Sequence, residues 1–354
     1  MSGTNNKITA QQRALLFGAS TRQHWQMIGT QEVSGGAQTV SFRVPKSRIL
    51  SGFRLMVEAD INVKGAAGDV AVDSLAPYRV IRRLAVNLNN GFAPVVCSGE
   101  SAAVLNMFRV HPEIIYPSTN GSSLCTVPEK FTASTAGTSN KFNFMLDIPL
   151  VLNDRDPVGM VLAQNQETAI DLEVDICNGG EILNNSAYTV EVNSVKVVAG
   201  TITYSIPTNA NAFPDMSVLK IWDDRTEVFA GSGQNHIKLP VGMIYRKLII
   251  KLVNEDGSAM TPDQMTGNLE LTLNTADIPY SISPAMLRAV NISQLGCPLP
   301  DGVYAFDFTY QGISNLGGSR DYIDCERVSE FTLRFTTPGA GKCMIISEKL
   351  SRLV

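Results

Sequence analysis

The chain is short of most things that secretion, membrane spanning, metal binding or catalysis would require. No apolar run approaches the roughly 18–20 residues that cross a bilayer. The first residues lack a continuous apolar segment followed by a small-residue cleavage site. A soluble product made in the cytoplasm is the expectation. The three histidines, His24, His111 and His236, form no HxH or HExxH pair, so no metal site and no cofactor are expected. The six cysteines, Cys97, Cys125, Cys177, Cys297, Cys325 and Cys343, contain no CxxC and read as reduced, mostly buried thiols. No G-x-S-x-G elbow supports a serine nucleophile. Gly-Ser-Gly at 231–233 lacks the Gly and Lys of a phosphate loop and reads as a tight turn. Only two tryptophans, Trp25 and Trp222, are available as platforms for sugar rings.

What remains is an ordinary globular balance. Of 354 residues, 44% are hydrophobic and 18% charged, and the length exceeds what one core usually serves. A net charge of −4 gives no basis for sequence-specific nucleic-acid binding, which rests on clustered cations. Charge is nevertheless uneven: residues 1–31 carry Lys7, Arg13 and Arg22 and no acidic residue. Two other groups invite a ligand and have plainer readings. Asp154 and Asp156 suit a solvated turn better than a calcium loop, because no further ligand run follows. Arg79, Arg82 and Arg83 suit ion pairs or a solvated face better than a phosphate site.

Strands dominate the pattern. Residues 39–44, 53–63, 141–148, 168–176, 188–198, 201–206, 268–275, 303–310 and 330–337 alternate apolar and polar side chains, the period of a strand with one face on a core. Turn signals such as NNG, NEDGS and PDG punctuate them. Many short strands with polar turns indicate a sandwich or barrel. Helices are expected at 9–18, capped by Thr9 and ended by Gly18; at 98–111, closed by Pro112; and at 283–295, with Ser283 as cap and Pro284 in the first turn.

The chain also repeats itself. VPKSRILSGFRLMV (44–57) lies over LPVGMIYRKLIIKL (239–252) without a gap, 195 residues on, pairing Pro45 with Pro240, Leu50 with Tyr245 and Phe53 with Leu248. KFNFML (141–146) and IDLEV (170–174) have counterparts in VYAFDF (303–308) and FTLRF (331–335), now about 162 residues on. The shared order indicates duplication, with some 33 extra residues in the first copy between its early and late strands. PTNANAFPD (207–215) reads as an exposed boundary between copies.

These blocks resemble the double jelly-roll major capsid proteins of tectiviruses, tailless icosahedral phages with a membrane beneath the shell. The resemblance is carried by ITAQQRALL (8–16), SGFRLMVEADINV (51–63), LAPYRVIRRLAV (75–86) followed by SGESAAVLNMF (98–108), the stretch 147–176, and PDGVYAFDFTY (300–310). It implies an all-β chain of two tandem eight-stranded jelly rolls, with a short N-terminal helix and few others. The expected division is an arm at 1–31, a first roll at 32–207, a linker at 208–217 and a second roll at 218–354. It further implies homotrimers that act as pseudo-hexameric tiles in an icosahedral virion shell, meeting vertex and minor capsid proteins. In the arm, Lys7, Arg13, Leu15, Leu16, Phe17, Arg22 and Trp25 are the candidate contacts, either with the anionic inner membrane or with a neighbouring subunit. The rival functions are a trimeric receptor-binding spike or minor virion protein, which would more often show a fibrous shaft repeat, and a glycan-processing enzyme, which would need raised-pKa carboxylates.

Overall fold

The computed structural model describes residues 9–89, 91–115, 125–152, 157–163, 169–183, 185–309 and 322–352. Helix α1 (Ala10–Ser20) comes first, and eight strands then build the two main sheets of the first roll: β1 (Gln23–Ser34), β2 (Thr39–Arg43), β3 (Ile49–Lys64), β4 (Ile81–Leu88), β5 (Phe92–Cys97), β6 (Thr138–Pro149), β7 (Ile170–Ile176) and β8 (Thr189–Tyr204), with short strands at Gly68–Ala71, Lys130–Ala133 and Val161–Leu162 beside them. They form two antiparallel sheets, ordered β1-β8-β3-β6 and β2-β7-β4-β5. Eight main strands repeat the plan: β9 (Val218–Phe229), β10 (Gly233–Leu239), β11 (Ile244–Asn254), β12 (Thr266–Leu273), β13 (Asp277–Ile282), β14 (Val303–Asp307), β15 (Phe331–Thr337) and β16 (Gly341–Arg352), with a short strand Ile323–Asp324 beside β11. Their sheets run β9-β16-β11-β14 and β10-β15-β12-β13. Every strand in the second set takes the place of the strand eight earlier. The chain is therefore two jelly rolls in tandem, as the repeat and the resemblance implied.

The correspondence reaches single residues. The third strand of each roll bulges against the eighth at the same point: β3 between Leu50 and Gly52, β11 between Tyr245 and Lys247. Each roll also places a helix between its fifth and sixth strands, α2 (Gly99–Asn106) and α3 (Pro284–Leu295), with N-caps Ser98 and Ser283. A buried asparagine of each helix clamps the sixth strand. Asn106 donates to the Asp147 carbonyl (3.0 Å) and accepts from its N–H (2.8 Å); Asn291 does the same to Ala305 (2.8 and 3.0 Å). The sixth strand lies at a sheet edge, where its outward backbone groups lack a ladder partner. The primary amide replaces that partner.

The rolls are fused rather than merely linked. Strand β9 pairs in parallel with β5, Trp222 against Val95 and Asp223 against Val96. This joins β14-β11-β16-β9 to β5-β4-β7-β2 in one continuous sheet. Trp222, Ile249, Val303, Ala305 and Ile346 of the second roll consequently belong to the first roll's hydrophobic cluster. The second roll keeps its own interior around Leu248, Ile250, Phe306, Phe331 and Leu333.

Several local expectations need correction. Gly18 does not end α1: the helix continues to Ser20, and Thr21 closes it by donating from both N and Oγ1 to the Phe17 carbonyl. At the other end Thr9 and Gln12 form a reciprocal capping box. Pro112 does not close the second helix, which stops at Asn106; it opens a separate single turn, Pro112–Ile115. Residues 188–198 and 201–206 belong to one strand, β8, because Ala199 and Gly200 stay in the ladder against Leu55 and Arg54. The boundary expected at residue 31 falls inside β1, which pairs with β8 from Gln23 onward. The stretch 207–215 is docked rather than free: Ala212 is buried and Phe213 packs on Phe17, Ile49, Val151 and Met160. Asp154 and Asp156 lie outside the described residues.

Candidate assembly interface

Helix α1 sits beside the junction of the two rolls. Phe17 is its anchor, buried with Ile49, Val151 and Met160 and tilted against Tyr204 at 5.4 Å between ring centroids. Leu15 points away, 74% exposed, and Leu16 is also exposed. Arg13 faces Asp215, whose carboxyl is held below its ordinary value by hydrogen bonds from Ser217 and, more weakly, by the Arg13 charge. Arg22 is exposed, and its backbone bonds to Ser205 continue the β1–β8 pairing. Lys7 lies outside the described residues. Trp25 stands on the outer face of β1 rather than in a loose arm, 59% exposed, with the Arg54 guanidinium 3.9 Å from its ring centroid. Arg54 (3.3 Å) and Arg109 (3.2 Å) converge on Asp147. These groups border a cleft of about 470 Å³ between α1 and the sheet. The arm candidates therefore divide between a helix and an edge strand.

The seam between the rolls holds most of the buried charge. Glu348 accepts from Trp222 Nε1 (3.0 Å) and pairs with Lys220 (3.0 Å) and Arg246 (3.1 Å). Burial alone would raise its carboxyl pKa. Lys220, Lys247 and Arg246 outweigh burial and hold it well below the usual range. Burial pulls Lys220 down to about 8 against the pull of Glu348. Across the seam, Lys251 pairs with Glu100 of α2 and with Asp73 (2.8 Å), and Arg79 joins both carboxylates at 2.9 and 2.5 Å. Burial would raise Glu100 as well, but Lys251 and Arg79 hold it below its ordinary value. Asp224 accepts from the Ser98 N–H (2.9 Å) and from the hydroxyls of Ser98 (2.6 Å) and Ser101 (2.5 Å). Every residue of α2 is buried by this arrangement. Arg79 and Arg83 are thus tied to carboxylates of their own chain, Arg83 to Glu173 and Asp175.

The arrangement is suited to holding surfaces together. Among the described residues no group of three or more His, Cys, Asp and Glu is placed to hold a metal. No described helix is long and apolar enough to cross a membrane.

No family model matches the chain, and no curated protein matches it in sequence. Solved structures do. The STIV major capsid protein, from Sulfolobus turreted icosahedral virus, superposes with a TM-score of 0.67 at 14% identity, covering 94% of this chain and 97% of that one. The PBCV-1 virus capsid gives 0.62 at 10% identity, covering 94% and 95%. Major capsid protein P2 of bacteriophage PM2 gives 0.55 at 11% identity, covering 94% and 98%. The chain has the double jelly-roll fold of these capsid proteins. In this double jelly roll, sequence reasoning missed β1, the seam and the asparagine clamps. One signal for the clamps was present: SGESAAVLN (98–106) and SPAMLRAVN (283–291) share Ser and Asn at the same spacing.

Proposed function

We propose that the chain is a major capsid protein of tectivirus type. Three copies close head to tail into a pseudo-hexagonal tile, and tiles pave an icosahedral shell over an internal membrane, with other proteins at the vertices. The observation that carries the reading is the residue-level duplication of a whole roll. Three chains then present six near-equivalent rolls, and a heterologous contact that closes makes a ring. The structural likeness to viral major capsid proteins over 94% of the chain supports it. The spike reading has no comparable support. The enzyme reading meets buried carboxylates, Glu100 and Glu348, held below their ordinary pKa rather than raised as a general acid requires.

The test is the mass of the purified native protein. Three copies of a 38.3 kDa chain give about 115 kDa; a monomer at all concentrations overturns the reading. Deleting residues 1–20, upstream of β1, is expected to leave that mass threefold. The protein should bind vesicles with anionic headgroups, and Leu15→Glu with Leu16→Glu should abolish that binding. If the wild type binds no vesicle and the chain lacking residues 1–20 loses shell assembly, the helix is assigned to a neighbouring tile instead.

A further inference from the structure

The two tryptophans of the chain occupy equivalent places in the two rolls. Trp25 of β1 pairs with Ile202, which pairs with Gly52. Trp222 of β9 pairs with Glu348, which pairs with Lys247. Gly52 and Lys247 follow the shared bulge and are matched by the gapless overlay of the repeat. Yet Trp222 is 0% exposed, covered at the seam, while Trp25 is 59% exposed. The same asymmetry holds for the surface that covers Trp222. Strand β5 and helix α2 are buried against the second roll, whereas β13 is an unpaired sheet edge. Helix α3 shows solvent a stripe of Ala285, Met286, Ala289 and Ile292 with no charge on it. β1 is likewise a free edge.

We infer that the seam inside the chain is repeated between chains: β13 and α3 of one copy dock on β1 and the Trp25 face of a second copy. This rests on the head-to-tail ring proposed above and identifies its joint. Side-chain chemistry matches position by position. Inside the chain Glu100 meets Lys251; their equivalents are Ala285 and Met56, both uncharged. Inside the chain Ser101 meets Asp224; their equivalents are Met286 and Met27, 57% and 71% exposed. Polar faces polar within the chain, and apolar faces apolar at the two free surfaces. A second copy is therefore the occupant whose chemistry fits. The internal register, Trp222 on Val95 and Asp223 on Val96, places Trp25 beside Tyr280 and Gln26 beside Ser281 of the neighbour.

Two variants of the full chain test this. Gln26→Cys with Ser281→Cys is expected to give, on mild oxidation, covalent dimers and trimers on a non-reducing gel, because the Cα atoms of paired strands lie within disulfide reach. Each single variant should give none. Met286→Glu is expected to convert the native mass from threefold to that of one chain with an unchanged circular dichroism spectrum, and Met27→Lys added to it should restore the oligomer. A wild-type trimer that persists in Met286→Glu, or that fails to cross-link through the cysteine pair, overturns this joint and leaves the capsid reading standing. A wild type that is monomeric throughout overturns the ring, and the joint with it.

Discussion

Replacing Glu348 by Gln removes one negative charge from the seam and almost nothing else. The carboxylate serves Trp222, Lys220 and Arg246 at 3.0–3.1 Å, and all three partners are buried. With an amide there, one oxygen still accepts hydrogen bonds but carries no charge, and the two buried cations, Lys220 and Arg246, face no buried anion at this point. Removing one partner of a buried pair costs about 3–5 kcal/mol, because the remaining charge stays desolvated. Against a typical stability of about 5–15 kcal/mol this is a large fraction. The assay is a urea titration followed by tryptophan fluorescence, with Glu227→Gln as control. Glu227 pairs with Arg225 at 3.4 Å, both being exposed by more than a third, so the control should lose less than about 1 kcal/mol. A loss below about 1 kcal/mol for E348Q would refute the account of the seam. The pH dependence gives a second check. Glu348 has a folded pKa below its ordinary value of 4.5, so the unfolded chain binds more protons in acid. Its contribution is complete above that ordinary value and is lost as pH falls toward the folded one. Wild type and E348Q should accordingly converge in stability in strong acid and diverge toward neutrality.

Asn106→Ala and Asn291→Ala should each cost about 2–4 kcal/mol in thermal or urea unfolding, since each leaves a buried backbone N–H and carbonyl without a partner. Gly99→Ala should destabilise by more than about 2 kcal/mol, because the new Cβ would lie 2.3 Å from the Tyr78 carbonyl oxygen and 2.7 Å from Ile81 Cβ; circular dichroism melts measure it. A thiol reagent should label Cys125 and Cys297 in the native protein and the four buried cysteines only after unfolding. Burial raises Cys177 to about 11 and Cys325 to about 12, so their thiolate fractions are small as well.

The repeat was legible because β3 and β11 carry it on their inner faces, where Phe53 and Leu248 or Leu55 and Ile250 must be apolar in both copies. The strands that escaped sequence reasoning share a physical cause. β1 (QHWQMIGTQEVS) loses its alternation at the bulge after Met27, and its outer face holds Trp25 and Met27 where a solvent-facing strand would be polar. β9 and β16 carry Lys220, Asp224, Ser347, Glu348 and Lys349, which alternation assigns to solvent. Four of these, Lys220, Ser347, Glu348 and Lys349, are nearly inaccessible, because their polar partners arrive from elsewhere in the fold. A sequence pattern counts a charge as exposed; only coordinates reveal its counter-ion. The helix caps were local and were read correctly at Thr9 and Ser283. Gly18 misled because a glycine can sit inside a helix when other groups close the end.

The sheet that passes from β14 to β2 without a gap leaves little freedom for the rolls to hinge. Helix α2 is wedged into the crease and Lys251 is bolted to two carboxylates across it. A molecule of this kind behaves as a stiff plate. On the shell reading proposed above, curvature would be absorbed at the contacts between such plates, and outward pressure from the contents would open those contacts before it bent a chain.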